Sequence, residues 1–413
     1  MFRIIITVKT NKINIPPHIR KRSTYLDKIK PFMGKPIIKV LTGQRRVGKS
    51  YLLYQLIQLV LEQDQNAAIL YINKEDLAFS SLKTASDLNE YVLTNAANTG
   101  RTYVFIDEIQ DVENFGDALR SLLLHENLDI YCTGSNANLL SGDIAGHLSG
   151  RYIAVEVFSL SYPEFIAFHK LPENEESLSK YMKFGGLPYL IHLELKDEIV
   201  FEYLKHIYQS IVYRDIINRY AIRNVNFLEQ LVLFLAAHTG SLFSAKKISD
   251  FLKSQQIKMA PNQVQNYIQH LVNAFLVHKV GRYDLVGKRL FEIGEKYYFE
   301  NLGIRNGLWG YRLEDRGKIM ENLVYNHLVF KGYKVLVGTL GTKEIDFIAE
   351  KEGEKIYLQV ALSINDDKTL AREFGNLKQI KDNDPKKVIT LESFSGNTVE
   401  GIQNVSLREF LMN

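Results

Sequence analysis

The run Gly43-Gln44-Arg45-Arg46-Val47-Gly48-Lys49-Ser50 has glycines at its first and sixth positions and ends in Lys-Ser. That pattern suits the binding of a phosphate chain. The glycines let backbone N–H groups converge on an anion where a helix begins, Lys49 neutralises phosphate charge, and the Ser50 hydroxyl is suited to ligate Mg²⁺. With the neighbouring Tyr51, the run forms the expected nucleotide-binding segment.

Downstream, Val104-Phe105-Ile106 is followed by two adjacent acids, Asp107 and Glu108. An acid at the carboxyl end of a buried parallel strand points into the ligand crevice, so Asp107 is expected to hold Mg²⁺ through water. Glu108 is expected to orient and deprotonate the attacking water. One carboxylate would suffice for binding; the pair suggests hydrolysis. The next strand ends Cys132-Thr133-Gly134-Ser135-Asn136, where Ser135 or Asn136 is suited to sense the γ-phosphate or the water. Arg151, just before the strand after that, is placed either to stabilise transition-state charge or to pack on Tyr152 as a surface residue. In the first role it would serve its own site or a neighbour's, and the latter makes the protein a homo-oligomer.

These residues need a parallel sheet to position them. Short apolar, β-branched runs at Ile37 to Thr42, Ala68 to Ile72, Tyr103 to Ile106, Leu128 to Thr133 and Ile153 to Phe158 alternate with helical patterns such as Tyr51 to Gln63 and Phe115 to His125. Near-continuous apolar strands of this kind belong to a parallel sheet covered on both faces. From Tyr162 to Ile217 the pattern is helical, with breaks at Gly185, Gly186 and Pro188. Three further helical stretches, Phe227 to His238, Ala245 to Gln255 and Pro261 to Ala274, precede two β-like runs, Phe275 to Val280 and Lys288 to Ile293. Three helices and a hairpin predict a winged helix. From Lys318 a helix through Phe330 leads into strands Tyr333 to Gly338, Glu344 to Glu350 and Lys355 to Leu362. The expected fold class is α/β. Its segments are a basic extension (1–33), a P-loop core (34–160), a helical lid (161–225), a winged helix (226–305) and a C-terminal α/β domain (306–413).

The 413 residues are 46% hydrophobic and 24% charged, which excludes a wholly disordered chain. No apolar run approaches a bilayer span, and no secretory signal opens the chain, so a cytoplasmic protein with no membrane partner is expected. Cys132 is the sole cysteine, which rules out an intramolecular disulfide and predicts a thiol packed as a small hydrophobe. The net charge is +4, yet residues 1 to 40 hold ten Lys/Arg against the single acid Asp27. That arm is suited to nucleic acid or nucleotide phosphates, or to plain solvation.

The runs LTGQRRVGKS, VFIDEIQDV, TGSNANLL and SGRYIAVEVFSLSYPEF resemble the bacterial and archaeal AAA-type ATPases that carry a C-terminal domain of unknown function. YRDIINRY at 213–220 and EIDFIAE at 344–350 resemble that C-terminal half. The resemblance implies ATP and Mg²⁺ as cofactors, a Walker A motif at Gly43 to Ser50, a Walker B motif at Asp107 and Glu108, and an arginine finger at Arg151. It also implies that Phe184-Gly-Gly-Leu-Pro188 resembles the turn with which related STAND-type NTPases contact adenine through the proline; an ordinary helix break explains the same residues. The C-terminal region resembles the restriction-endonuclease-like PD-(D/E)XK core, with Glu321 and Asp346 matching the first two acidic positions. The third element reads Gln359-Val360-Ala361, which lacks both the ligand charge and the lysine. Lys343 and Lys355 are the nearest lysines in sequence. A degenerate nuclease fold used for binding is therefore expected. DNA is the expected partner, contacted by a basic wing of Arg282, Lys288 and Arg289. The alternative is a nucleotide-regulated protein-interaction module with slow or no hydrolysis.

Overall fold

The computed structural model describes residues 5–7, 12–137, 148, 150–254, 256–287, 289–290, 294–364, 367–391 and 398–413. The chain divides into two compact units, Met1–Phe158 with Asn273–Phe275, and Ser159–Val272 with Leu276–Asn413.

In the first unit, strands β1 (Ile5–Thr7) and β2 (Lys12–Asn14) pair with each other, and helix α1 (Ser23–Ile29) follows. Then come β3 (Ile38–Thr42), α2 (Lys49–Gln63), β4 (Ala68–Asn73), α3 (Ala85–Asn95), β5 (Thr102–Asp107), α4 (Phe115–Leu122), β6 (Leu128–Gly134) and β7 (Tyr152–Glu156). The five strands β3 to β7 form one sheet in the order β4-β5-β6-β3-β7, with every pair parallel. The expected α/β core is therefore present. Ile38, Val40, Val104, Ile106, Ile130 and Cys132 fill one face of the sheet against Leu88, Val92, Leu119 and Leu122. Burial pushes the Cys132 thiol up to about 12, so it packs there as an uncharged small side chain. A polar pair is also buried in the sheet: Lys39 bonds Asp129, whose carboxylate accepts further bonds from the Gly34 N–H (2.8 Å) and the Tyr131 hydroxyl (2.8 Å).

Helix α1 sits within the segment expected as an extension, yet Tyr25, Leu26 and Ile29 are buried. Arg22 is 4% exposed, and its guanidinium donates to the carbonyls of Val47 (3.1 Å) and Phe158 (2.9 Å). This arginine braces the phosphate-binding turn and is not part of a solvated arm. Charge counting missed it because buried carbonyls satisfy a guanidinium as well as water does.

The second unit contains α5 (Tyr162–His169), α6 (Glu175–Phe184), α7 (Asp197–Ser210), a π-helical turn (Ile211–Asn218), α8 (Val225–Ala237), α9 (Ala245–Ser254) and α10 (Pro261–Asn273), whose last residue groups with the first unit. There follow β8 (Val277–Val280), β9 (Arg282–Asp284), β10 (Arg289–Leu290), β11 (Lys296–Phe299), α11 (Leu302–Trp309), α12 (Arg316–Phe330), β12 (Lys334–Leu340), β13 (Lys343–Lys351) and β14 (Glu354–Ala361). The chain ends with α13 (Asp367–Lys378), β15 (Lys386–Thr390), β16 (Thr398–Val399), β17 (Ile402–Ser406) and α14 (Leu407–Met412). Eight strands form a mixed sheet in the order β10-β9-β12-β13-β14-β15-β17-β16.

Tyr162, Phe165 and Met182 share one apolar core with Met320, Leu323, Val337, Phe347 and Leu358, so the helices after Leu160 and the C-terminal sheet are built on common packing. The expected boundary between residues 305 and 306 falls inside α11. Arg305 is fully buried there, bonded to Asp315 at 2.7 Å and to the Ala236 carbonyl at 2.8 Å.

The expected hairpin is rearranged. The base strand β8 pairs with β11, and Arg289–Leu290, the described part of the second expected run, pairs with β9. β9 pairs with β10 and also runs parallel to β12, Arg282 opposite Val337 and Asp284 opposite Thr339. The exposed backbone of β12 gives the wing segment a ladder to join, which an isolated two-stranded tip lacks. Lys288, expected in the basic wing, lies outside the described residues.

His327 on α12 is buried and His278 on β8 is partly buried, with its ring enclosed. Burial pushes His278 down to about 4 and His327 down to about 3, the latter helped by the Lys331 charge. As pH falls below the ordinary value of 6.5, the unfolded imidazoles take up protons that the folded ones refuse, so stability is lost as pH drops from 6.5 towards 4. His278→Phe should flatten the decline in melting temperature over that window, by on the order of 3 kcal/mol at its acid end. Parallel declines for variant and parent would remove His278 as a cause.

Candidate functional site

The carboxyl ends of β3, β5 and β6 lie along one sheet edge, and they carry the three segments singled out by sequence. After Thr42 the chain turns at Gly43 with φ +140°, where an added Cβ would sit 2.1 Å from the Val157 carbonyl oxygen. No other residue fits that approach. Arg46 and Gly48 are also left-handed, at φ +72° and +98°, and α2 begins at Lys49. The Lys49 ammonium donates to the carbonyls of Gly43 (2.9 Å) and Gln44 (3.0 Å). Val47 is buried beneath the turn, whereas Arg46 and Tyr51 are exposed.

Asp107 is 3% exposed and Glu108 7%. The Ser50 hydroxyl bonds the Asp107 carboxylate, which also accepts from Tyr71 (3.3 Å) and Thr133. Glu108 has φ +59°, a left-handed conformation that costs a non-glycine residue energy and aims its side chain back along the edge. Its N–H donates to Thr133 Oγ1 (2.9 Å), so one threonine hydroxyl orients both acids. Glu108 Oε2 accepts from Ser135 Oγ (3.2 Å) and from the Gln110 amide.

The two acids differ in charge preference. Burial raises the Asp107 pKa above the usual carboxylate range against the hydrogen bonds from Thr133 and Ser50, and the Glu108 charge adds to the rise. Burial also works against ionised Glu108, but the charges of Lys49 and Arg45 and the bonds from Gln110 and Ser135 outweigh it and hold its pKa low. Glu108 is therefore an ionised acceptor facing the phosphate-binding turn. A hydroxyl and a carboxylate already in contact, Ser50 and Asp107, are a donor set that fits Mg²⁺.

Sequence reasoning missed several members. Thr133 and Gln110 lay in motifs already quoted, but nothing in their spacing marked them as partners of the acids. Arg45 is 5% exposed and pairs with Glu75 at 3.1 Å. Gln44 donates through Nε2 to the Phe275 carbonyl (3.0 Å), and the Ala137 N–H donates to the Asn273 carbonyl (2.8 Å). A segment about 230 residues away in sequence thus flanks both the phosphate-binding turn and the Ser135–Asn136 strand end. No local pattern could reveal this.

Three expected residues fare differently. Asn136 is fully buried at the strand end, but it is Ser135 that bonds Glu108. Arg151 is exposed and precedes β7, whose first residue Tyr152 pairs with Ile38, while Thr42 pairs with Glu156. Arg151 therefore lies at the amino end of the sheet, roughly 15 Å of strand away from Gly43, and cannot serve its own chain's phosphate site. Pro188 belongs to the second unit. Packing accounts for the glycines before it: Cβ atoms at Gly185 and Gly186 would meet Asn301 Oδ1 at 2.6 Å and the Leu160 carbonyl oxygen at 2.3 Å.

The parallel sheet, glycine turn, lysine and strand-end acids together define a P-loop ATPase core. Residues 35–166 match the AAA domain family model, and residues 175–315 match a domain of unknown function, DUF8612. An uncharacterised protein of Haemophilus influenzae is 35% identical over 399 residues, 95% of this chain and 98% of that one. The chain belongs to the family of that protein. An uncharacterised protein of Methanocaldococcus jannaschii is 29% identical over 88% of this chain and 84% of its own length. Among solved structures, the Walker-type ATPase of Pyrococcus abyssi aligns at 16% identity and a TM-score of 0.47 over 70% of this chain and 96% of that one.

Lys49→Ala should weaken ATP binding, because it removes charge from the phosphate cradle. Glu108→Gln should leave ATP bound while slowing turnover about 10²- to 10⁴-fold. Nucleotide affinity and single-turnover hydrolysis measured on both variants separate the roles. Equal loss of affinity in the two would show that Glu108 serves binding.

Proposed function

We propose that the protein is a Mg²⁺-dependent ATPase acting as a nucleotide-driven switch, with DNA as its partner. The observation that carries the reading is ionised Glu108, held by Ser135 and Gln110 beside the Lys49 turn. In this reading Lys49 and the backbone of residues 43–50 would hold the ATP phosphates, and Ser50 and Asp107 would hold Mg²⁺, which would supply positive charge to the phosphates when bound. Glu108 orients a water for in-line attack on the γ-phosphate and accepts its proton, and Thr133 positions it. Ser135, bonded to Glu108, is the sensor of that water. Arg151, remote from its own chain's phosphates, is suited to a neighbour's site in a homo-oligomer.

The DNA assignment rests on α8 to α10 and the β8–β11 pair. On α10 the exposed residues Asn262, Gln265, Asn266 and Gln269 recur at the i, i+3, i+4, i+7 spacing of one helix face. Amides in that arrangement suit hydrogen bonding to base edges. Lys246, Lys247 and Lys253 on α9 and Lys258 after it are exposed, as phosphate contacts require.

ATP turnover measured with and without duplex DNA across a protein concentration series tests both parts. Stimulation by DNA supports the switch, and a rate per chain that rises with concentration supports a shared site. No turnover under any condition would favour a nucleotide-regulated protein-binding module. DNA affinity should fall roughly 10²- to 10³-fold between about 50 and 200 mM salt, and replacing the four lysines by alanine should reduce that slope. Affinity flat across this range would count against phosphate contact.

A further inference from the structure

The nuclease-like core would gather a divalent cation between Glu321 and Asp346. The two acids do converge, and Glu344 joins them, but the space between them holds an ammonium. Lys296 Nζ lies 2.7 Å from Glu321 Oε1, 2.7 Å from Glu344 Oε1 and 3.8 Å from Asp346 Oδ1. Its side chain is 3% exposed. The lysine arrives from β11, a strand outside the eight-stranded sheet. No lysine of the third acidic element, nor Lys343 or Lys355, supplies this charge.

The remaining polar groups are committed elsewhere. Glu321 Oε1 also accepts from the Tyr298 hydroxyl at 2.6 Å. Asp346 Oδ2 accepts from the Val360 N–H (2.8 Å), while the Asp346 N–H donates to Gln359 Oε1 (2.7 Å). Gln359 Nε2 donates to Glu373 (2.7 Å). The glutamine that replaces the third acid is thus a bridge between backbone and Glu373, with its oxygen occupied. Among the described residues, no group of acids, histidines or cysteines is arranged to hold a metal ion. A Mg²⁺ ion demands oxygens at about 2.0–2.1 Å in near-octahedral array, and an ammonium already touching two of the three carboxylates blocks and repels it.

We infer that Lys296 is a built-in replacement for the divalent cation of the nuclease-like core, closing that site to metal and tying β11 to α12 through Glu321 and to β13 through Glu344 and Asp346. Burial opposes the charge on Lys296, but the neighbouring acids outweigh it and hold its pKa above the usual lysine value, while burial and the Glu321 charge hold the Asp346 carboxyl well above its own usual range. The inference is independent of the ATPase reading, since all its residues lie in the second unit.

The test is Mn²⁺ binding without nucleotide, followed by electron paramagnetic resonance and by the melting temperature. The parent protein and Asp346→Asn should bind Mn²⁺ equally. Lys296→Met keeps the stem and removes the charge, so it should gain one Mn²⁺ site at least about tenfold tighter than any the parent has there. Lys296→Met with Asp346→Asn should lose that site. Should Lys296→Met fail to fold in chelator, added Mn²⁺ should restore it, because a divalent ion then satisfies the stranded carboxylates. The inference is overturned if the parent binds one more Mn²⁺ than Asp346→Asn does. It is equally overturned if Lys296→Met gains no site when folded, or is not restored by Mn²⁺ when unfolded. Metal-dependent DNA cleavage by the parent that disappears in Asp346→Asn would overturn it directly.

Discussion

The position of β6 between β3 and β5 constrains everything at the nucleotide-binding edge. Val40 pairs with Cys132 and Ile106 with the same Cys132, so the ends of the three strands fall level with one another. A slip of one residue in either pairing would turn the polar strand-end residues into the apolar faces of the sheet. In the observed register Thr133 stands between the two acids and the phosphate-binding turn. One hydroxyl then receives the Glu108 N–H and donates to Asp107, which is possible only because a hydroxyl is both donor and acceptor.

Proximity alone would push both acids towards the neutral form. They separate because their surroundings differ: burial dominates at Asp107 over the bonds from Thr133 and Ser50 and a smaller Lys49 effect, whereas at Glu108 the charges of Lys49 and Arg45 together outweigh it. A divalent ion at Ser50 and Asp107 would add positive charge beside Asp107 and favour its ionised form as well. The pair is thus arranged so that one acid is ionised by the protein and the other by the ligand.

The sheet and the phosphate-binding turn were legible because each is written locally. Five apolar runs, a Gly-x4-Gly-Lys-Ser turn and acids at a strand end need no distant partner to be recognised. Arg22, the Gln44 contact with Phe275 and the β9–β12 pairing were hidden because each joins residues far apart in sequence. The wing shows the mechanism. The first expected run, Phe275 to Val280, contains β8, but β9 falls between the two expected runs, and its partner β12 belongs to a segment read as another domain. Lys296 was hidden for the same reason, since a search along the third acidic element cannot find a cation delivered by β11.

The two lysines at the centre of the two sites differ in the hydrogen bonds they make. Lys49 donates to two backbone carbonyls of its own turn, and its charge also acts on Glu108 and Asp107. A triphosphate bound there, as proposed, would bring several anionic oxygens to the ammonium. Lys296 is bonded to carboxylates, and removing it would strand buried negative charge, which costs far more than the single bonds lost. Any incoming cation must therefore displace a partner already matched in charge. In the proposed roles the same side chain would be recruited by a ligand in the first unit and itself serve as the ligand in the second, at nearly equal burial.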